Sequence, residues 1–298
     1  MAHPQLSVII ASCVGPPFIT RCLGSLENQR CGTDVEFIVV DRAGDAVVAH
    51  IEHDFPWITI ARRNRNESVP DLRRHGVAIA NATHVAFIEE HCIAGDNWIA
   101  TILRSLDDST ICIGGVVHDN DYDRLMDWAV YFTEYNSYMP PAERGPTYDV
   151  CAANCVYRRD LLRDNLPESG SGYWEAALNH KLLEQGHRFQ LEPTMIVHHT
   201  GPFGFFYYLG QRFLFSRAFA GIRRASVPKW YRLTYLFAAP LLVPLLWART
   251  AQRVFAKRNR VGTFLSTFGH MIPITCIYVL GEWVGYLVGP GDSLSRIE

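Results

Sequence analysis

The sequence predicts an α/β fold with parallel strands, followed by hydrophobic helices at the C-terminus. Three observations predict it. Before Thr200, short β-branched apolar runs alternate with segments of helical period. Three of those runs end in polar residues, at Ser12-Cys13, Asp41 and Glu89-Glu90-His91. Strands end this way where a parallel sheet opens on a cleft. After Thr200 the chain turns aromatic and carries two long apolar stretches, residues 233–248 and 264–289.

The elements follow in order. LSVIIASC (6–13) is a buried strand, closed by the turn Val14-Gly15-Pro16-Pro17. FITRCLGSLENQ (18–29) places apolar residues at 18, 19, 22, 23 and 26, a helical period. VEFIVVDR (35–42) is a second strand ending on Asp41, and WITIAR (57–62) a possible third. VPDLRRHGVAIANAT (69–83) reads as a helix, HVAFIEEH (84–91) as a strand, and Asp96-Asn97-Trp98 opens the helix WIATILRSL. ICIGGVVHD (111–119) is a further strand. Residues 120–149 are aromatic and irregular, broken at Pro140-Pro141. CAANCVYRRDLL (151–162), a Gly/Ser loop (169–172), the helix YWEAALNHKLLEQG (173–186) with its C-cap glycine, and the strand RFQLEPTMIVHH (188–199) complete this part.

The three polar strand ends converge on one cleft in such a sheet. The stretch FIEEHC (87–92) is the most pointed of them. A metal site, an acid–base pair and a strand cap all remain open for it at this stage.

Bulk properties narrow the class. The chain has 298 residues, enough for one large domain or two small ones with a real core. A net charge of −2 excludes a general nucleic-acid binder, whose footprint is strongly basic. Charged residues are only 19% and mean hydropathy is near zero, so part of the chain is expected to meet a membrane. The 8 cysteines form no CxxC pair and read as reduced, mostly buried thiols of a cytosolic domain. MAHPQLSVII lacks the basic and apolar regions of a signal peptide.

Taken together, these segments resemble a family 2 glycosyltransferase over roughly residues 6–224. SVIIASC is similar to the family's opening strand SVIIPTYN, and CLGSLENQ to the helix after it. VEFIVVDRAGD resembles the element EIIVVDDGSTD, and LRRHGVAIANATHVAFIEEH the block ARNxGxxxAxGxYIxFLDDD. NCVYRRDLL resembles the segment NxxxRRxxL, WEAALNHKLLEQG the helix EDxxLxxRLxxxG, and the PxxxVxH strand end follows. The resemblance implies a GT-A, Rossmann-like nucleotide-sugar-binding domain (1–224) on a mixed, mainly parallel sheet. A membrane-associated helical region (225–298) follows it.

The resemblance also implies a chemistry. Transfer from a nucleotide-diphospho sugar requires neutralising a diphosphate leaving group and deprotonating an acceptor hydroxyl. Asp41 falls on the residue that contacts the nucleotide base, with a turn-capping aspartate as the structural alternative; Arg42 replaces the family's second acid. Arg73 falls near the phosphates. Glu89, Glu90 and His91 stand in place of the D-x-D, with Glu89 and His91 the candidate metal ligands and Glu89 and Glu90 candidate donor contacts. A divalent cation, Mn²⁺ or Mg²⁺, is the implied cofactor, and imidazole suits Mn²⁺ better. Glu175 aligns with the general base of inverting members, with Trp174 in place of the first acid of that pair. His198 or His199 matches the strand-end histidine; we take His199, and alternate residues of a strand cannot both face the cleft. Asn154 and Arg158 are acceptor-side candidates, and Arg212 and Arg217 resemble basic residues that close over the diphosphate.

The expected donor is a UDP-sugar and the acceptor a saccharide or lipid-linked sugar, with a cytoplasmic catalytic domain attached to a membrane. A GT-A-like domain that binds nucleotide sugar without turnover is the alternative. A nucleotidyltransferase fits less well, since CVGPPFITR is not a Gly-rich, Lys/Arg-bearing phosphate loop. One contradiction stands in the C-terminal region. Both flanks of the first apolar stretch are basic: Arg223, Arg224, Lys229 and Arg232 before it, and Arg249, Arg253, Lys257, Arg258 and Arg260 after it. Two complete spans would put these flanks on opposite faces, against the positive-inside rule.

Overall fold

The computed structural model describes residues 4–30, 32, 34–107, 109–166, 175–224 and 227–298. They form two compact units, the first running to Asn120 and again over Tyr138–Thr200, the second over Asp121–Ser137 and Gly201–Glu298. The second unit thus takes in residues 201–224, which the sequence reading groups with the first.

The elements run in the order β1 (Leu6–Ser12), α1 (Phe18–Glu27), β2 (Val35–Asp41), α2 (Asp45–Asp54), β3 (Thr59–Arg62), α3 (Val69–Ile79), β4 (His84–Ile88), β5 (Cys92–Ala94), α4 (Trp98–Ser105), β6 (Cys112–His118), α5 (Leu125–Tyr135), β7 (Gly145–Thr147), β8 (Asn154–Arg158), α6 (Arg159–Asn165), α7 (Glu175–Glu184), β9 (Phe189–His199), α8 (Phe205–Arg223), α9 (Lys229–Lys257), α10 (Val261–Ser266) and α11 (Phe268–Val288).

In the first unit the strands pair in the order β3-β2-β1-β4-β8-β6-β9-β5, with β7 also on β9. β1, β2, β3 and β4 are mutually parallel. The near-continuous apolar runs of β1, β2 and β4 are what a strand covered on both faces requires. β8 enters antiparallel between β4 and β6, so the sheet is mixed. Helix α3 starts cleanly: the Ser68 hydroxyl accepts the Asp71 N–H at 3.2 Å and Pro70 sits in the first turn. It lies hard against β1 because Gly76 has no side chain; a Cβ there would stand 2.4 Å from Ile9 Cγ2. Of the eight cysteines, seven are described and free, and Cys22, Cys92, Cys112 and Cys155 are buried.

Several elements depart from expectation. The run 84–91 is not one strand: β4 stops at Ile88, Glu89–His91 bend out of the sheet, and β5 resumes beside β9. Helix α5 occupies a stretch read as irregular and α2 one left unassigned, and α3 ends at Ile79 because Ala80 turns extended. The loop 169–172 and residues 173–174 lie outside the described residues.

In the second unit α8 and α11 run parallel in close contact. A Cβ on Gly281 would lie 2.6 Å from the Phe213 carbonyl, and one on Gly285 2.5 Å from the Arg217 carbonyl. Small residues four apart let the backbones approach this closely. α9 runs antiparallel to α11, with Tyr235 beside Tyr286 at one end and Trp247 beside Phe268 at the other. It continues for 29 residues through Pro240 and Pro244, neither of which has an N–H to give the helix. Pro240 has no N–H for the Leu236 carbonyl, and the Trp283 indole N–H of α11 donates to that carbonyl at 3.1 Å instead.

Candidate functional site

The site lies in the first unit, at the carboxyl ends of β1, β2 and β4. Its framework is laid by two acids. Asp41 ends β2 in register with Ser12 of β1. Its Oδ1 accepts the Ser12 hydroxyl at 2.7 Å and its Oδ2 the Gly44 N–H at 3.0 Å. Asp41 therefore shapes the turn into α2, the structural alternative named for it. Arg42 donates to the Glu67 carbonyl, turning its guanidinium to the segment before α3.

Glu90 holds the loop after β1. Its carboxylate accepts the backbone N–H groups of Cys13, Val14 and Gly15 at 2.8, 2.9 and 3.1 Å. Gly15 has φ +85°, a left-handed conformation natural to glycine, so the three N–H groups can turn toward one anion. Burial raises the Glu90 carboxyl above its ordinary range, against the pull of these donors. Glu90 is thus engaged by backbone and not presented to a substrate.

Between these two, a chain of charge crosses the cleft. Arg73, buried on α3, places Nη2 2.9 Å from Glu89 Oε1 and Nη1 3.6 Å from Glu175 Oε2. Glu89 Oε2 in turn lies 3.2 Å from His91 Nε2. The His91 ring meets His199 edge-on at 5.2 Å between centroids. So Glu175, Arg73, Glu89, His91 and His199 form one series, drawn from α7, α3, the β4–β5 bend and the end of β9. Register explains the last contact: His199 pairs with Cys92 across β5 and β9. His198 points elsewhere, to the Asp119 carbonyl at 3.1 Å and the His118 ring at 5.5 Å.

The electrostatics follow from this series. Burial pushes the Glu89 carboxyl up, but the His91 hydrogen bond and the charges of His91 and Arg73 outweigh it and hold it well below the usual range. Burial raises Glu175, which Arg73 only partly offsets. Burial drives His199 well below its ordinary value, so it is neutral near physiological pH.

Ligand atoms of Glu89, His91 and Cys92 lie within 4.8 Å of one another. That set of carboxylate, imidazole and thiol fits a divalent cation, and fits a borderline ion such as Mn²⁺ or Zn²⁺ better than Mg²⁺. Cys92 is absent from the sequence reading. Its only signal is adjacency to His91, because it reads as one of the mostly buried thiols.

Other candidates lie elsewhere. Asn154 is fully buried; its Oδ1 accepts the Trp98 indole at 2.8 Å and its Nδ2 donates to the Val116 and Met195 carbonyls at 2.9 and 2.8 Å. Those bonds stitch β6 to β9 and leave no polar group for an acceptor. Arg158 pairs with Asp160 at 2.8 Å and stands in register with His84, at the end of β4 away from Glu89. Arg212 and Arg217 belong to the second unit, where Arg212 pairs with Glu134 at 3.2 Å and Arg217 donates to the Gly289 carbonyl at 3.2 Å. Asn179 was also missed. It sits one turn after Glu175, donates to Asp149 Oδ1 at 2.9 Å and accepts the Tyr157 hydroxyl at 2.6 Å. A lone asparagine among the buried leucines of α7 was its signal.

Comparison with known proteins agrees with this architecture. The structure is similar to the mannosyltransferase PcManGT from Pyrobaculum calidifontis, solved in complex with GDP-Man and Mn²⁺ (TM-score 0.60, 15% identity, covering 97% of this chain and 88% of that one). It is also similar to residues 1–349 of TarS from S. aureus (TM-score 0.54, 16% identity, covering 93% and 90%). No curated protein matches significantly by sequence. These likenesses establish the GT-A fold. The family model described as glycosyl transferase family 2 matches residues 7–166, which end just before the undescribed loop. The chain belongs to glycosyl transferase family 2.

Proposed function

We propose that the protein transfers a sugar from a nucleotide-diphospho sugar, a UDP-sugar by preference, to a hydroxyl of a saccharide or lipid-linked acceptor, with inversion. The observation that carries this reading is the single arginine, Arg73, shared by Glu89 and Glu175. It joins the donor side of the cleft to a base on α7. Glu175 accepts the proton of the acceptor hydroxyl. The hydroxyl oxygen bonds to the anomeric carbon from the face opposite the leaving group. The bond from that carbon to the diphosphate breaks, and the electron pair leaves with the nucleoside diphosphate. Burial makes Glu175 the stronger base, and Arg73 pulls the other way, favouring its ionised form. Glu89 and His91, with Cys92, would hold a divalent cation, which when bound supplies positive charge to the leaving diphosphate. Asp41, at the end of β2, would meet the nucleotide base. The two apolar helices of the second unit support membrane attachment, with the catalytic unit on the cytoplasmic side.

The test is turnover by the full-length chain with Mn²⁺ and a panel of UDP- and GDP-sugars. Donor consumption is expected, and Glu175→Gln should lower kcat by roughly a hundredfold or more. Donor binding with no turnover would favour the inactive alternative. Turnover unaffected by Glu175→Gln would remove the base assignment.

A further inference from the structure

The exposed surface of the second unit bears on the geometry of membrane attachment. Among the described residues, two helices, α9 and α11, are long and apolar enough to cross one. Their exposed surface is organised. On α9, Trp230, Leu233, Phe237, Leu241 and Leu245 are 56–85% exposed and recur every three or four residues, so they form one stripe. On α11, Phe268, Ile272, Leu280 and Leu287 form a second exposed stripe. By helical spacing it lies on the side away from Gly281 and Gly285, which meet α8.

The α8 side differs: Phe206 is exposed at its first turn, but the C-terminal tail runs along the helix. After α11 the chain doubles back along α8. Gly289 accepts from Arg217, whereas Glu298 donates its N–H to Gln211 at 2.9 Å and accepts the Tyr207 hydroxyl at 2.9 Å. Residues 207–217 span about 15 Å of helix. Beside them runs a mostly irregular backbone with Asp292, Arg296 and Glu298 exposed. Irregular, charged backbone is not found facing lipid in the hydrocarbon core. A transmembrane placement of α11 carries α8 and this tail into that core, because α8 and α11 run side by side and parallel.

We infer that α9 and α11 lie in the plane of the membrane, with their exposed stripes in an anionic bilayer surface and α8 and the C-terminal tail in water. The inference rests on the membrane attachment proposed above and adds its geometry. It also resolves the charge contradiction. An in-plane helix leaves both basic flanks, residues 223–232 and 249–260, on one membrane face, as the positive-inside rule asks. Cations at both ends of the stripe match an anionic headgroup layer. The match with glycosyl transferase family 2 stops at residue 166, so this device lies outside the matched region.

The experiment uses the full chain with Cys276→Ser, which removes the one exposed thiol among the described residues. Lys229→Cys and Arg258→Cys are introduced singly, and sealed membrane vesicles from expressing cells are labelled with an impermeant maleimide before and after permeabilisation. The expected result is the same sidedness at both positions. Opposite sidedness would mean that α9 spans and would overturn the in-plane geometry while leaving attachment intact. In a second arm the purified chain is floated with phosphatidylcholine vesicles, with and without phosphatidylglycerol. Co-flotation that strengthens with phosphatidylglycerol is expected, and Phe237→Glu with Leu241→Glu should weaken it by on the order of tenfold or more. Failure to float with either vesicle would overturn attachment itself. A lipid-free dimer that the same pair of substitutions renders monomeric would show that a second copy covers the stripes, and would overturn the inference.

Discussion

Glu90→Gln isolates the carboxylate that organises the loop after β1. The substitution keeps the size of the side chain and one oxygen acceptor. It places an NH₂ group against one of the three backbone donors and removes charge from the bonds that remain. A hydrogen bond to a charged group contributes about 1.5–3 kcal/mol, and a buried donor left unsatisfied costs about 1–3 kcal/mol. Burial offsets part of this, since it already disfavours the ionised carboxyl. A loss of about 2 kcal/mol in local closure follows, equivalent to roughly thirtyfold in an opening equilibrium. The assay is amide hydrogen exchange, read by mass spectrometry on a peptide covering Ser12–Pro17. Exchange in that peptide should quicken roughly thirtyfold while the β2 and β6 peptides stay unchanged. Exchange within about threefold of the parent would refute the claim that Glu90 holds this loop.

Other consequences are open to direct measurement. Gly76→Ala drives a methyl group into Ile9 and should lower stability by about 1–3 kcal/mol, read from the denaturation midpoint. Gly24→Ala on α1, where nothing lies within 4 Å, should instead stabilise by about 0.4–1 kcal/mol. Glu36 is half-buried; burial raises its carboxyl, but hydrogen bonds from Ser7, Asn81 and Ala82 prevail and hold it below the ordinary 4.5. Its stabilisation is therefore present above that value and lost as pH falls through the folded-state value. Glu36→Gln should lower the Tm at neutral pH and flatten its decline in acid; an unchanged slope would contradict this. Arg73 lowers and Glu89 raises the Glu175 carboxyl. The acid limb of the kcat–pH profile should thus move up in Arg73→Met and down in Glu89→Gln, and shifts of the same sign would exclude Glu175 as the titrating base.

Much of the first unit was legible because its parallel strands are covered on both faces. LSVII and VEFIVV carry uninterrupted β-branched apolar runs that few other elements tolerate. Two helices were hidden for opposite reasons. α2, DAVVAHIEHD, buries only Val48 and Ile51, too little apolar signal to show a period. α5, LMDWAVYFTEY, buries eight of its residues around its circumference, so it shows no polar face. At the site, Glu89 and His91 were legible as an unusually polar strand end, whereas Arg73, Glu175 and His199 were legible only through the resemblance to the family's motifs. Their partners were not, since Arg73 and Glu175 are brought together only by tertiary packing. Asn154 misled for a physical reason. A polar side chain near the cleft end of a strand looks available for ligand, yet here it satisfies carbonyls where β6 and β9 shift register.

The indole of Trp283 makes α9 a dependent structure. The helix passes Pro240 because a neighbour made later in the chain lends it a donor for the Leu236 carbonyl. A fragment ending before α11 would keep every residue of α9 and still leave that carbonyl orphaned at the proline. Trimming the last apolar segment to obtain a more soluble protein would therefore unravel the segment before it, and the two are best kept or removed together.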